Sequence, residues 1–296
     1  MTLSQQIQNI FDNGRSVSGI TRELRALGIC TREINILLDS YKRNPFALDD
    51  ITFGVEIECY NVEREEIAQR LREAGVLTYV EGYNHTDYRD HFKVVTDGSL
   101  SGNNTAEVVS PILKGKKGLQ TLEKVCKVLQ EIGAKVNKSC GLHIHFGLAN
   151  ISFETYKNIF YNYAKLERII DAFMPASRRN NIYCKGYTAF GHNIYELLDC
   201  TTSKEDIARL FADRNGDLDR YYKVNPIAYR RHNTIEFRQH SGTVEYKKML
   251  NWIEFLKGLI AYSKENRIIE AASIEDLPFI DSRVKRFYKE RTAALA

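Results

Sequence analysis

The stretch ITFGVEIECY, residues 51–60, decides the fold. Its residues alternate, with Phe53, Val55, Ile57 and Cys59 on one side and Thr52, Gly54, Glu56 and Glu58 on the other. Successive side chains of a strand point to opposite faces, so the pattern predicts a half-buried strand with an apolar core face and an acidic second face. Two carboxylates two residues apart project side by side and repel each other unless a cation or a proton lies between them. A wet face whose acids pair with surface Lys or Arg fits this one strand equally well.

The same geometry recurs outward along the chain. In GLHIHFG (141–147), His143 and His145 leave one face while Leu142, Ile144 and Phe146 take the other. Glycines on both sides leave room for a ligand to approach the backbone. In RRHNTIEFRQH (230–240), read as a strand, Glu236 and Arg238 share a face opposite Ile235 and Phe237. An acid for a cation beside an arginine for a phosphate is what a metal–nucleotide site needs. TAEVVSPIL (105–113) adds Glu107 and is the expected antiparallel partner of the strand in HFKVVTDGSL (91–100). Four strands that each carry polar ligands on one face point to one site. Carboxylates outnumber imidazoles and no thiolate takes part, which favours Mg2+ or Mn2+ over zinc. Neither GxxxxGK[ST] nor GxGxxG occurs, so metals and arginines must hold any phosphates.

Between these strands lie amphipathic helices. VEREEIAQRLREAG stops at Gly75, GLQTLEKVCKVLQEIG stops at Gly133, residues 153–174 stop at Pro175, and VEYKKMLNWIEFLKGLIAYSK follows the last strand. RRNNIYCKGY (178–187) reads as a polar loop near a ligand, and the basic tail around Arg283–Arg291 as a solvated helix face. Residues 3–43 instead read as three short helices. The first carries Leu3, Ile7, Ile10 and Phe11 and ends at Asn13-Gly14, the second ends near Gly28, and the third starts at Thr31 as N-cap. Asn44-Pro45 closes this unit. The expected division is therefore a helical unit over 1–48, resembling a helix–turn–helix, and a larger α+β domain over 49–296.

FGVEIE, DGSL with AEVVSP, GLHIHFG and NTIEFRQHSGT together resemble the signature strands of the putative amidoligase family. That family sits among the glutamine synthetase-like carboxylate–amine ligases, with the glutamate–cysteine ligases. The resemblance spans about residues 51–243 and RRNNIYC resembles the family's arginine-rich insert. It implies a curved antiparallel sheet whose concave face holds ATP and two or three Mg2+ or Mn2+ ions, with helices packed on the other side. By motif, Glu56, Glu58, Glu107, His143 and Glu236 correspond to metal ligands. Arg238 corresponds to the arginine on the phosphates, and His145 to a residue beside the nucleotide or substrate. Arg178, Arg179, Arg230 and Arg231 are further candidates for the nucleotide, and Asp97 and Ser99 for the substrate. The implied reaction activates a carboxylate as an acyl phosphate, which an amine then attacks.

Other readings remain open on the residues alone. The related guanidino kinases share the fold, a metal-dependent hydrolase shares the donors, and the N-terminal helices allow a DNA-binding protein with a degenerate enzyme domain. The net charge of +4 is too mild to require a nucleic-acid or membrane partner. No apolar run reaches the roughly 18 residues of a membrane span, so no membrane partner is expected. Six cysteines without a CxxC pair, and an N-terminal MTLSQQIQNIFDNGR without a leader pattern, fit the cytoplasm. The expected partners are thus a carboxylate and an amine, borne by a small molecule, a peptide or a protein.

Overall fold

The computed structural model describes residues 3, 6–7, 10, 17–42, 51–82, 90–179, 181–187, 190 and 193–295. The chain divides into two compact units, Met1–Pro45 and Phe46–Ala296.

In the first unit, α1 (Val17–Ala26) and α2 (Thr31–Lys42) bury Ile20, Leu24, Ile34 and Leu38 together with Ile10. Gly28, at φ +79°, ends α1, and its N–H donates to the Arg25 carbonyl at 2.9 Å. Cys30, rather than Thr31, caps α2. Its carbonyl accepts from the Ile34 N–H, and its own N–H donates to the Glu33 carboxylate at 3.2 Å. Thr31 already belongs to the first turn. The expected roles of Phe11, Asn13-Gly14 and Asn44-Pro45, and the boundary at 48–49, fall outside the described residues.

The second unit is α+β. It opens with β1 (Thr52–Cys59), α3 (Arg64–Glu73), β2 (Thr78–Val80), β3 (Phe92–Val95), β4 (Ala106–Val109) and β5 (Leu113–Lys114). Next come α4 (Gly115–Glu131), β6 (Gly141–Gly147), α5 (Phe153–Ala172), α6 (Ala176–Arg179), α7 (Ile194–Asp199) and α8 (Lys204–Leu210). The unit finishes with β7 (Val224–Asn225), α9 (Ala228–His232), β8 (Thr234–Ser241), α10 (Tyr246–Ser263) and α11 (Ser282–Leu295). Gly75 and Gly133 take left-handed conformations just past α3 and α4, where an L side chain would be strained. The Ala134 N–H, donating to the Leu129 carbonyl at 2.9 Å, closes the last turn of α4.

The eight strands form one open, mixed sheet in the order β2-β3-β4-β1-β6-β8-β7, with β5 pairing β1. The expected antiparallel pairing holds except between β2 and β3, which run parallel. Thr78 pairs with Phe92 and Val80 with Val94, and eleven residues lie between the two strands in sequence, more than a tight hairpin uses. Phe53, Val55 and Ile57 join Leu142, Ile144 and Phe146 and Ile235 and Phe237 in one buried core with the apolar stripes of α4, α5 and α10. Each fully buried Leu, Ile or Phe of this kind contributes about 1.5–3 kcal/mol of transfer free energy. The helices therefore cover the apolar face, and the acid- and histidine-bearing face is left for the cleft.

Two expectations are corrected here. RRHN is not strand, because Ala228–His232 are helical and Asn233, at φ +49°, turns the chain into β8. The basic tail is docked rather than a solvated face, since α11 buries Val284 and Tyr288 and Arg291 donates to the Phe173 carbonyl at 2.7 Å. No helix among the described residues is long and apolar enough to cross a membrane.

Candidate active site

Strand register assembles the site. Glu58 lies opposite Glu107 on β4, Glu56 opposite His143, and His145 opposite Glu236. Directly opposed residues of neighbouring strands have Cβ atoms roughly 5 Å apart, so their side chains meet. Glu56 contacts His143 Nδ1 at 2.8 Å with one carboxylate oxygen and His145 Nε2 at 3.2 Å with the other. His143 Nε2 lies 3.5 Å from Glu58, and its Nδ1 lies 3.8 Å from Glu236. Two triads result, Glu56–His143–Glu236 and Glu58–Glu107–His143. Within each, the candidate ligand atoms all lie within 4.8 Å of one another. Glu58 also accepts from the Gly141 N–H, and Glu236 accepts from Asn225 and pairs with Arg238.

The charges are strongly interdependent. Burial lifts the Glu107 carboxyl well above the usual range, and Glu56, Glu58 and Asp97 push it the same way. Burial also opposes charge on Glu56, but hydrogen bonds from His143 and His145 prevail and hold it well below the ordinary carboxylate range. Burial works against an ionised Glu236 as well. Arg238 and His145 outweigh it and bring that carboxyl down to about 2. His145 is raised above an ordinary histidine because Glu236 and Glu56 overcome its burial. Its Nδ1 meets Thr234 Oγ1 at 3.0 Å.

A β-bulge aims Arg238. Leu142 pairs with His240 while Ile144 pairs with Phe237, so Arg238 and Gln239 together face the single residue His143. Strict alternation puts His240 on the cleft face with Glu236 and Arg238. The extra residue turns it to the helix side, where its ring lies 5.6 Å from that of Trp252. Arg178, 3% exposed, donates to the carbonyls of both bulge residues, Arg238 and Gln239. A Cβ on Gly141 would lie 2.9 Å from both Arg178 Nη2 and His143 Nε2, so this close approach depends on glycine. Behind the bulge, Lys223 Nζ lies 2.7 Å from both Glu167 and Asp171, and Gln239 bridges Asp171 to the Tyr163 hydroxyl. The Lys223 carbonyl accepts the Arg238 N–H at 2.8 Å, which links this buried network to the bulge.

These residues floor a cleft of about 720 Å3, a volume within the range of ligand sites. Glu56, Glu107, His143, His145, Glu236, Arg238, Asp97, Arg230 and Arg231 all line it. Arg230 is at the same time ion-paired to Glu205. A smaller chamber of about 60 Å3 adjoins it, lined among others by Glu58, Ser99 and Arg178. Asp97 lines both spaces and accepts the Ser99 N–H at 2.7 Å. Arg179 lines neither, for it is exposed and its Nε donates to the Met174 carbonyl. Arg178 reaches only the chamber, and its guanidinium donates to the Arg238 and Gln239 carbonyls.

Sequence reasoning passed over Asn225, Arg220, His232 and Thr234, all of which line the cleft. Thr234 lay within reach, because counting back by twos from Arg238 and Glu236 arrives at it. Asn225 sits on a strand of two residues, too short to alternate, and Arg220 lies outside any strand or helix, so neither carries a periodic signal.

Four carboxylates and two imidazoles, buried or half-buried, spread over four strands of one sheet and facing a cleft with arginines on its walls, form a candidate site for cations and anionic ligands. The sequence profile described as "putative amidoligase enzyme" matches residues 49–260, and the chain belongs to that family, which is one of ligase-type enzymes. No match among curated proteins accompanies it.

Proposed function

We propose that this cleft binds ATP with Mg2+ or Mn2+ and joins a carboxylate to an amine. The observation that carries the reading is the pair of oxygen-rich triads meeting at His143 on the cleft floor. Their chemistry fits a hard divalent cation, because carboxylate oxygens predominate and no thiolate takes part. Glu56 and Glu236 would hold one ion and Glu58 and Glu107 another, with His143 completing one of the two sets and a cation there favouring the ionised form of Glu107. Bound ions would neutralise charge on the triphosphate.

The protein's own residues supply positioning and electrostatics. Arg238 is kept protonated against its burial by Glu236 and Glu56. Its Nε is buried without a hydrogen-bond partner among the described residues, a donor available to a phosphate oxygen. Glu236, which accepts a hydrogen bond from Asn225, holds that guanidinium in place. In the proposed reaction a substrate carboxylate oxygen attacks the γ-phosphorus, the bond to the β–γ bridging oxygen breaks, and ADP leaves. The amine nitrogen then attacks the acyl carbon, phosphate departs with the C–O electron pair, and the nitrogen gives up a proton. Arg238 stabilises the phosphoryl group in transfer, as electrostatic positioning governs such reactions. The donor-bearing face turned to the cleft, with helices behind it, supports reading the sheet as the curved sheet of glutamine synthetase-like enzymes. The free thiols, with Cys59 and Cys126 pushed up to about 12 chiefly by burial, support a reducing, cytoplasmic setting.

The test is phosphate release from ATP with Mg2+ or Mn2+ across panels of acids and amines, followed by mass spectrometry of the product. Glu58→Ala or Glu236→Ala should abolish turnover, and near-normal turnover in either overturns the assignment. A stable phosphorylated product would instead identify a phosphotransferase, and turnover independent of ATP a hydrolase.

A further inference from the structure

The chamber beside the cleft has a shape and lining that the nucleotide does not explain. Its roughly 60 Å3 equals the liquid volume of about two waters, enough for one small polar group. Arg178, Arg220 and Arg238 all line it, each with at least one bond inside the protein, and they outnumber its two acids, which are also engaged. Glu58 takes the Gly141 N–H and belongs to a donor triad, and Asp97 takes the Ser99 N–H. Guanidinium groups in such numbers favour a carboxylate, whose two oxygens match their fork of donors. Arg238, Arg220, His143 and Asp97 line both spaces, so chamber and cleft lie side by side and share these residues.

The chamber reaches the surface at an apolar lip. Tyr183 lines it and is 39% exposed, and the adjoining Ile182 is 68% exposed. This lip is held in place. Asn181 accepts the Tyr183 N–H at 2.7 Å, Asn181 and Cys184 bridge to each other, and the Tyr183 ring meets Tyr221 edge-on at 5.4 Å. Exposed apolar side chains on a preorganised turn mark a binding surface, because little ordering entropy is lost when a ligand covers them.

We infer that the chamber takes the terminal carboxylate of an extended, peptide-like substrate whose chain runs out over Ile182 and Tyr183. This rests on the ligase reading of the cleft and narrows it. A compact branched acid has no arm to pass the lip, whereas a peptide C-terminus or a glutamyl side chain has one.

Hydroxylamine in place of the amine tests it, since it converts an acyl phosphate to a stable hydroxamate without knowledge of the natural amine. The full chain is given ATP, Mn2+ and hydroxylamine with one of four probes. These are N-acetyl-trialanine, its C-terminal amide, the amidated peptide N-acetyl-Ala-Glu-Ala, and pivalate. ATP affinity is measured separately by calorimetry on the same samples. Hydroxamate from the free tripeptide or from the glutamyl peptide is expected, and the better of the two identifies the carboxylate used. None is expected from the amide or from pivalate. Tyr183→Ala should raise KM for the active peptide about tenfold while ATP affinity stays within about twofold, the contribution of one aromatic contact. Ile182→Ser should raise it in the same direction. ATP binding without hydroxamate from either peptide, pivalate consumed as well as a peptide, or an unchanged peptide KM in Tyr183→Ala would each overturn the assignment. Failure to bind ATP at all would overturn the ligase reading beneath it.

Discussion

At the scale of single residues, Glu107 is the most informative side chain in the cleft. Burial first, then its neighbours Glu56 and Glu58, lift its carboxyl well above the usual range, so a bound cation would favour its ionised form. Adding Mn2+ should therefore raise the melting temperature of the wild type, by mass action amounting to about 2.7 kcal/mol when the free ion is near 100 times its dissociation constant. In Glu107→Gln, which keeps the shape and removes the acid, the shift should shrink clearly, and an equal shift in differential scanning fluorimetry would remove Glu107 from the ligand set. Glu56, Glu58, His143, His145, Glu236 and Arg238 were legible in the sequence because period-two alternation needs only neighbours along one strand. Arg178 was legible as an arginine near the site. Its work on the backbone carbonyls of the bulge was not, for that depends on a contact some 60 positions along the chain.

At the scale of elements, the bulge in β8 is the device that alternation conceals. One extra residue leaves Arg238 on the cleft side and sends both Gln239 and His240 to the helix side. The His240 Nδ1 donates to the Ser241 carbonyl at 2.7 Å, and burial first, then Arg291, pushes the imidazole down to about 3. The folded protein thus holds His240 neutral, whereas the unfolded chain takes up a proton below about 6.5. Its contribution to stability is complete above that value and is lost progressively as pH falls toward 3. In His240→Phe, unfolding free energies measured by urea from pH 7 to 4 should fall less steeply than in the wild type, and parallel curves would contradict the burial argument. Lys223 is the counterpart on the other side of the bulge. Removing one partner of a buried ionic network leaves the rest uncompensated, so Lys223→Met should cost about 3–5 kcal/mol in urea denaturation. A loss below 1 kcal/mol would show that water reaches Glu167 and Asp171.

At the scale of the molecule, the larger unit carries a complete core. Every residue of its hydrophobic cluster, from Ile51 to Tyr288, lies within 46–296. A chain of residues 46–296 should unfold cooperatively and keep its affinity for ATP, which calorimetry can establish. The smaller unit has five buried apolar residues among those described, a core of marginal size for independent folding. Helix stops at Gly28, Gly75 and Gly133 were readable because termination is local chemistry. Strand order was not. That β1 lies between β4 and β6, and that β2 runs parallel to β3, depends on which distant segments share a core.

His143 joins the two triads, and that sharing limits how the cleft can be filled. Its Nδ1 faces Glu56 and Glu236 while its Nε2 faces Glu58. A neutral imidazole has one lone pair and one N–H, so it serves as ligand on one side and proton donor on the other. On the metal-binding reading the two triads would therefore compete for one tautomer, and a second ion would be held by oxygen alone. On that reading the number of ions the cleft holds would follow from where the ring keeps its proton.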